Sequence, residues 1–226
     1  MLQDNVYEST GRAFYNGFTV EARKQFGRGI VLNANYTLSK AIDEVVDFNS
    51  DFQANNQLDL RSERSLSSFD QRHKFVFYGT FMSPHKMENG FTSALLSDFT
   101  LSPIVRANSG RPFNLLAGYD LNGDHHSTTD RPAFAGRNTG IGPDFWTVDV
   151  RLARDFRIKD QLHLEVTAEA FNILNRLNFG SVNNVTGNIK PPFDLKGRSD
   201  LSPSKPLGYT SAMDPRQLQF GVRARF

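Results

Sequence analysis

Apolar and polar residues alternate one by one along much of the chain, and this alternation predicts extended strands with one apolar and one polar face. The C-terminal segment QLQFGVRARF shows the pattern most clearly. Every second position up to the last residue is apolar there: Leu218, Phe220, Val222, Ala224 and Phe226. Chain termini usually fray and are usually polar, so a terminal strand that ends on an aromatic residue requires an explanation.

Six further segments repeat the alternation. Together with the C-terminal segment they predict about seven strands of about ten residues each, the length that a tilted strand needs to cross a bilayer. Pro103 lies inside one of these segments and has no amide hydrogen to donate, so we expect a β-bulge there. The six segments are residues 17–26, 30–41, 73–83, 98–113, 145–156 and 162–172.

The predicted strands are joined by connections that alternate between short and long. The short connections cover residues 27–29, 84–90 and 157–161, and the long ones cover residues 42–71, 114–144 and 173–214. Long irregular loops of this kind are uncommon in a compact soluble domain. Short turns at one end and long loops at the other are typical of outer-membrane barrels.

Alternation alone fits either a soluble β-sandwich or a transmembrane barrel, because both have one apolar and one polar face. Two further features favour the barrel. Aromatic residues gather at the strand ends, as interfacial girdles require: Phe26, Phe81, Phe99, Trp146, Phe156 and Phe226. The polar face carries charges of both signs, which suit a wet lumen: Glu21, Arg23, Arg106, Asp149, Arg151, Glu165 and Glu169.

The segment AEAFNILNRLNF (168–179) has apolar residues at helical spacing as well as strand alternation. The alternation that precedes it favours a strand that runs into a loop. Asn172, Asn175 and Asn178 are then expected to turn and cap that loop.

Composition adds mainly exclusions. The chain of 226 residues has a net charge of +2 and scattered Lys and Arg residues, so it carries no nucleic-acid-binding footprint. It has no Cys, which excludes disulfides and thiol catalysis. No apolar run reaches the length of about 18 residues that a transmembrane helix needs, and the first residues do not form a signal peptide.

Several segments in order resemble the C-terminal part of TonB-dependent outer-membrane receptors, in particular the Oar-like group with a carboxypeptidase-regulatory-like N-terminal domain. The segments run in family order over nearly the whole chain, so we expect residues 1–226 to form one unit, the C-terminal part of a receptor barrel. The resemblance rests on NYTLSKAID (35–43), SFDQRHKFVF (68–77), SGRPF (109–113), GYDLNGDHHSTTDRP (118–132), EAFNILNRLNFGSVNN (169–184) and DPRQLQFGVRARF (214–226).

The resemblance implies an all-β, antiparallel, up-and-down transmembrane β-barrel segment of about seven strands, the C-terminal part of a larger barrel of about 22 strands. It implies location in the outer membrane of a Gram-negative-type cell, contact with the lipid bilayer, and energised substrate uptake. It also implies that the terminal strand is the signal read by the barrel assembly machinery. The residues that match this signal are Phe220, Val222, Ala224 and Phe226.

The sequence departs from the family in lacking a plug domain, a signal peptide and a segment that contacts the TonB complex, a contact that the plug region would make. An odd number of strands is also unexpected for a complete bacterial barrel. We therefore expect the chain to be the last third of a receptor, inactive in transport alone.

One loop carries a candidate metal site. Asp120, Asn122 and Asp124 have oxygen ligands at the spacing of a calcium loop, although His125 and Arg131 occupy positions where an EF-hand has Gly and Glu. A looser Ca²⁺ site in an outer loop and a simple Asx-rich turn both remain open, and the turn is favoured.

We expect the chain not to be an enzyme, since no nucleophile motif is found and Glu165 and Glu169 lie about 13 Å apart along a strand. The substrate and the substrate-binding residues are not identified by the sequence. The alternative function is a secreted soluble β-sandwich that binds carbohydrate through a calcium-dependent loop.

Overall fold

The computed structural model describes residues 9–27, 29–45, 54, 59–84, 90, 97–123, 125, 127–159, 162–187 and 206–226. Asp124 and parts of the connections 42–71, 84–90, 157–161 and 173–214 lie outside these described residues. Within them, no helix has the length and apolar character needed to span a membrane.

The regular secondary structure of the described chain is almost entirely β-strand, with one short 3-10 helix, Leu60–Glu63. Its strands are β1 (Ala13–Phe26), β2 (Ile30–Asp43), β3 (Ser65–Leu66), β4 (His73–Met82), β5 (Phe99–Asn108), β6 (Pro112–Phe113), β7 (Gly140–Ile141), β8 (Phe145–Lys159), β9 (Leu162–Phe171), β10 (Phe179–Val182), β11 (Tyr209–Ala212) and β12 (Gln217–Arg225).

Seven long strands form one antiparallel sheet in the order β1-β2-β4-β5-β8-β9-β12, and β3 adds to the end of β2. Each long strand pairs with its predecessor and successor among the long strands, which is the up-and-down topology. The predicted fold class is confirmed. In the described part of the chain, β1 and β12 are the two edges of the sheet.

The register keeps the two faces separate across all seven strands. Directly paired residues share a face, and apolar positions consistently oppose apolar positions, as in Ala34 opposite Phe77 and Val105 opposite Val148. A slip by one residue would exchange the faces, so the alternation excludes every odd shift of the register. We call the two sides the apolar face and the polar face.

Three predicted details of the sheet are wrong. Pro103 causes no bulge, since Tyr78 opposite Ile104 and Phe81 opposite Leu101 share one register. In the ladder between β4 and β5, the residues between these two pairs are left unpaired. The missing N–H of Pro103 therefore removes local β-pairing, but it does not insert an extra residue into the strand. The connection from β4 to β5 covers residues 83–98 and is longer than predicted. β1, β2 and β8 have 14, 14 and 15 residues and exceed the predicted length.

The turn after β9 agrees with the sequence. The strand ends at Phe171, and Asn172 and Asn175 take positive φ angles of 48° and 50°. Asn tolerates this left-handed conformation better than most residues. The strand-to-loop interpretation of this segment is therefore confirmed, and the helical one is wrong.

The three long connections are more ordered than predicted. We call their described parts, within residues 44–72, 109–144 and 172–216, the loop layer. Within it β6 pairs with β7, β10 pairs with β11, and Leu116 bridges Val185. The most completely buried side chains of the described chain all lie in this layer: Leu115, Leu207, Glu63 and Thr186.

Candidate functional site

The polar face carries ion pairs between neighbouring strands. Arg106 on β5 pairs with Asp149 on β8 at 2.6 Å. Arg151 on β8 reaches Glu165 at 3.0 Å and Glu169 at 3.5 Å, both on β9. Five of the seven charged residues predicted for this face are thus brought together in cross-strand contacts. Such pairs suit a surface exposed to water, where charges of both signs remain solvated.

Asp149 connects the wall to the loop layer. Its carboxylate accepts hydrogen bonds from the Thr147 hydroxyl at 3.1 Å and from the Asn172 backbone N–H at 2.8 Å, in addition to the Arg106 pair. The side chain of a polar-face residue therefore holds the first residue of the turn that follows β9. The alternation predicted Asp149 as a lumen residue, but it gives no indication of the hydrogen bond between Asp149 and the Asn172 backbone.

A half-open depression of about 260 Å³ lies at the short-turn end of the polar face. Its lining includes the carboxylates of Asp98, Asp155 and Glu165 and the guanidinium groups of Arg151 and Arg225. Glu165 binds both arginines. The depression therefore offers hydrogen-bond donors and acceptors of both signs to a polar solute or polypeptide segment.

Two arginines anchor the loop layer through buried ion pairs. Arg131 donates to Glu63 at 2.7 Å, and Arg137 lies 2.6 Å from the Asp43 carboxylate. Arg137 also donates to the backbone carbonyl groups of Asp43 and Glu63, at 2.9 and 3.2 Å. All four side chains are nearly inaccessible to solvent. These contacts join the connection after β2 to the connection after β5.

Further hydrogen bonds join the second and third long connections. Asn184 donates from its side chain to the Asn114 carbonyl at 3.0 Å, and Leu116 exchanges backbone bonds with Asn184 and Thr186. The three connections therefore form one continuous layer at the long-loop end of the sheet.

Sequence reasoning missed the anchoring residues Glu63, Arg131 and Arg137 as functional candidates. A partial signal existed, because Asp43 and Arg131 lie in two of the segments that carry the family resemblance. Asp70 lies in a third and accepts the Ala41 backbone N–H at 2.6 Å. Residue type alone does not show which charged residues of a polar loop become buried, so Arg137 had no sequence signal.

The predicted calcium loop is organised as a turn. The two carboxylate oxygens of Asp120 accept the backbone N–H groups of Gly123 and His125, at 2.7 and 2.9 Å. Asn122 lies within this turn, and Asp124 is outside the described residues. In the described part of the chain, no three acidic, His or Cys side chains group as a metal site. Calcium binding by Asp120, Asn122 and Asp124 stays a prediction.

The predicted assembly-signal residues lie on β12 and at its end. Phe220, Val222 and Ala224 oppose Ala168, Val166 and Leu164 on β9, so they belong to the apolar face. Phe220 and Val222 are 76% and 70% exposed, and Phe226 is fully exposed. An edge strand with an exposed apolar row is accessible to another protein or to lipid.

The fold as a whole defines the wall of a transmembrane barrel: long antiparallel strands, an apolar outer face, a charged polar face, and long connections at one end. The sequence matches the family described as outer membrane beta barrel domain over residues 3–137 and 133–219. The chain therefore belongs to this family, and it is located in the outer membrane with its apolar face against lipid. This membership excludes the soluble β-sandwich alternative. No curated protein and no solved structure matches the chain.

Proposed function

We propose that the chain supplies barrel wall and outer loops to a TonB-dependent receptor that takes up a substrate at the expense of energy from the inner membrane. The resemblance in six ordered segments supports this function. The observation that carries it furthest is the interlocked loop layer, in which Asp43, Arg131 and Asn184 of these segments take part in the contacts that join the three connections. We assign no enzymatic role to the chain.

The physical basis of the proposal is the contrast between a folded outer layer and a charged wall. A layer fixed by buried ion pairs presents a constant surface to an external solute, because its backbone is held at several points. The polar face beneath offers paired charges that tolerate water. An energised receptor needs both features, a recognition surface and a hydrated path.

The test compares uptake in three strains: one lacking this chain, one lacking TonB, and one lacking both. Radiolabelled iron chelates, vitamins, peptides and oligosaccharides serve as candidate substrates. We expect at least one substrate whose uptake falls equally in all three strains. If the chain and TonB act in the same uptake pathway, deletion of both reduces uptake no further than deletion of either one. A substrate lost without the chain but taken up normally without TonB would contradict the energised mechanism.

We further propose that the outer-membrane assembly machinery binds β12 through Phe220, Val222, Ala224 and Phe226. The support is the common position of Phe220, Val222 and Ala224 on the apolar face of the exposed edge strand, with the fully exposed Phe226 directly after it. A crosslinker placed at Val222 should trap the machinery during assembly, whereas one at Arg223, on the polar face, should trap it less.

A further inference from the structure

In the described chain, five contacts between a cation and an aromatic ring lie at the two ends of the apolar face. At the short-turn end, Lys24 lies over Phe26, and Arg154 lies between Phe99 and Phe156. At the long-loop end, Arg64 lies over Phe14 and Arg176 over Trp146. A cation stacked on a ring at the end of a lipid-facing surface is placed to meet lipid headgroups.

The distance along β8 agrees with this placement. Trp146 and Arg154 are eight positions apart in the sequence, which corresponds to about 27 Å along a strand. A strand tilted by about 40° then spans about 20 Å along the membrane normal, close to the apolar band of about 25 Å in outer-membrane barrels. The two stacked arginines therefore lie near opposite edges of the apolar band.

Arg176 is held in a fixed orientation. Its guanidinium carbon lies 4.5 Å from the centre of the Trp146 ring. Its Nε donates to the Asn178 side chain at 3.3 Å, and that same amide exchanges hydrogen bonds with the Trp146 backbone at 2.9 and 3.2 Å. The Asn172 side chain accepts the backbone N–H of Arg176 at 3.0 Å.

The terminal nitrogens of Arg176 remain available. Throughout the described residues no carboxylate lies within 4 Å of this guanidinium. A guanidinium group presents a planar pair of donors that matches a phosphate group. The site is therefore oriented and charged, and no ion pair within the described residues neutralises the half-buried Arg176.

The surroundings show which kind of anion fits. Leu174 and Leu177, in the same turn, are 60% and 54% exposed. The backbone N–H of Arg216 donates to the Asn175 side chain at 3.1 Å, which brings a second arginine to this turn. Exposed leucines beside the guanidinium disfavour a free, fully hydrated anion and favour an amphiphile with both a phosphate and acyl chains.

We propose that Arg176, stacked on Trp146, binds the phosphate group of an anionic lipid in the outer leaflet. Trp146 supplies the cation–π surface, and Asn178 positions both residues. Leu174 and Leu177 contact the upper part of the acyl chains. The proposal depends on the position of the barrel in the membrane and is independent of the transported substrate.

Trp146 is the single tryptophan of the chain, so its fluorescence reports on this site alone. The whole chain is inserted into two kinds of phosphatidylcholine vesicle. One contains brominated phosphatidic acid, and the other contains the same fraction of brominated phosphatidylcholine. Bromine quenches tryptophan fluorescence on contact, so the quenching reports which lipid lies beside Trp146. We expect stronger quenching by the brominated phosphatidic acid, corresponding to an enrichment of about fivefold beside Trp146. Equal quenching by the two lipids would overturn the proposal.

Two variants separate a specific site from general attraction. Arg176→Gln should remove the excess quenching by phosphatidic acid while leaving the quenching by brominated phosphatidylcholine unchanged. Arg64→Gln removes a cation that stacks on Phe14 of β1, at the same end of the apolar face, and should leave the excess intact. Retention of the excess in Arg176→Gln, or an equal loss in both variants, would overturn the assignment to Arg176.

Discussion

Among the described residues, no large apolar side chain of the seven-stranded sheet is fully buried, and Phe18 and Phe220 on its edge strands are mostly exposed, whereas Leu115 and Leu207 in the loop layer are buried. This order is the reverse of a soluble protein, in which regular strands enclose the core and loops cover the surface. The apolar face of the sheet is buried by lipid instead of by protein. The protein's own core is therefore found in its connections.

The sheet and the loop layer can also be compared through one arginine–aspartate pair in each. Arg106–Asp149 in the sheet and Arg137–Asp43, which joins the loop layer to the end of β2, are both 2.6 Å long. The Arg106 side chain is 50% exposed, and the Arg137 side chain is 1% exposed. The same nitrogen–oxygen distance thus occurs in two environments, one with a half-exposed arginine and one with both partners buried, and the cost of breaking each pair should differ accordingly.

The largest effect is expected for Arg137→Leu. The change leaves the Asp43 carboxylate buried without its cation and removes the donor to two carbonyl groups, so we expect the loop layer to lose about 3–5 kcal/mol of local stability. Hydrogen–deuterium exchange should show lost protection in residues 60–66 and 135–141, while β4 and β5 stay protected.

The matched control is Arg106→Leu. The Arg106 side chain is half exposed although Asp149 is largely buried, and Asp149 keeps the Thr147 and Asn172 hydrogen bonds. We expect a loss below about 1 kcal/mol. If the two variants lost protection equally, burial would not distinguish the loop layer from the sheet.

The next largest loss of stability is expected when a charge is placed on the apolar face of the sheet. Val150 lies midway along β8 between Trp146 and Arg154, on the apolar face, and Val150→Arg should cost about 2–4 kcal/mol because the charge enters the middle of the bilayer. Ala153→Arg places the same side chain on the polar face and should cost less than about 1 kcal/mol. Denaturant titration of the chain in vesicles measures both values, and a larger cost for Ala153→Arg would reverse the assignment of the faces.

A smaller effect is expected where the sheet meets the loop layer. Asn172 has a φ of 48° and hydrogen-bonds the backbone of Arg176 in both directions. Asn172→Ala and Asn172→Gly both lose these bonds, but only Ala resists the left-handed conformation. We expect Asn172→Ala to be about 1–2 kcal/mol less stable than Asn172→Gly. Equal stability of the two variants would show that backbone strain is unimportant at this turn.

The smallest effect on the folded state is expected at the C-terminus, where Phe226 has no protein contact to lose in the fully exposed position. Phe226→Ala should leave refolding into detergent unchanged and lower the amount of folded protein in the outer membrane of cells. Leu218→Ala, on the same face of β12 but outside the proposed signal, is the control. A similar deficit for both variants in cells would contradict a specific role for Phe226.

The sequence was most informative where one local rule governs the structure. Alternation identified all seven long strands and both faces, because lipid and water impose the same period of two on every strand. The turn after β9 was also predicted, since Asn at positions 172 and 175 favours positive φ. The predicted bulge at Pro103 was wrong, because the strand tolerates one missing N–H donor by leaving neighbouring residues of β4 and β5 unpaired with one another.

The loop layer was predicted poorly for a different reason. Its order depends on pairs distant in sequence, such as Asp43 with Arg137 and Glu63 with Arg131. No period links such residues, and a charged residue in a polar loop has the same local appearance whether it is buried or exposed. The family-like segments showed which stretches matter, but they did not show which residues meet.

The amino-acid sequence by itself determined the seven long strands, their two faces and the lipid-facing side, because each follows from the order of neighbouring residues. The tertiary structure decided that the long connections interlock, that Asp149 holds the turn at Asn172, and that Arg176 stacks on Trp146. These contacts join segments separated by tens of residues. Only the folded sheet brings them close enough for hydrogen bonds and ion pairs to form.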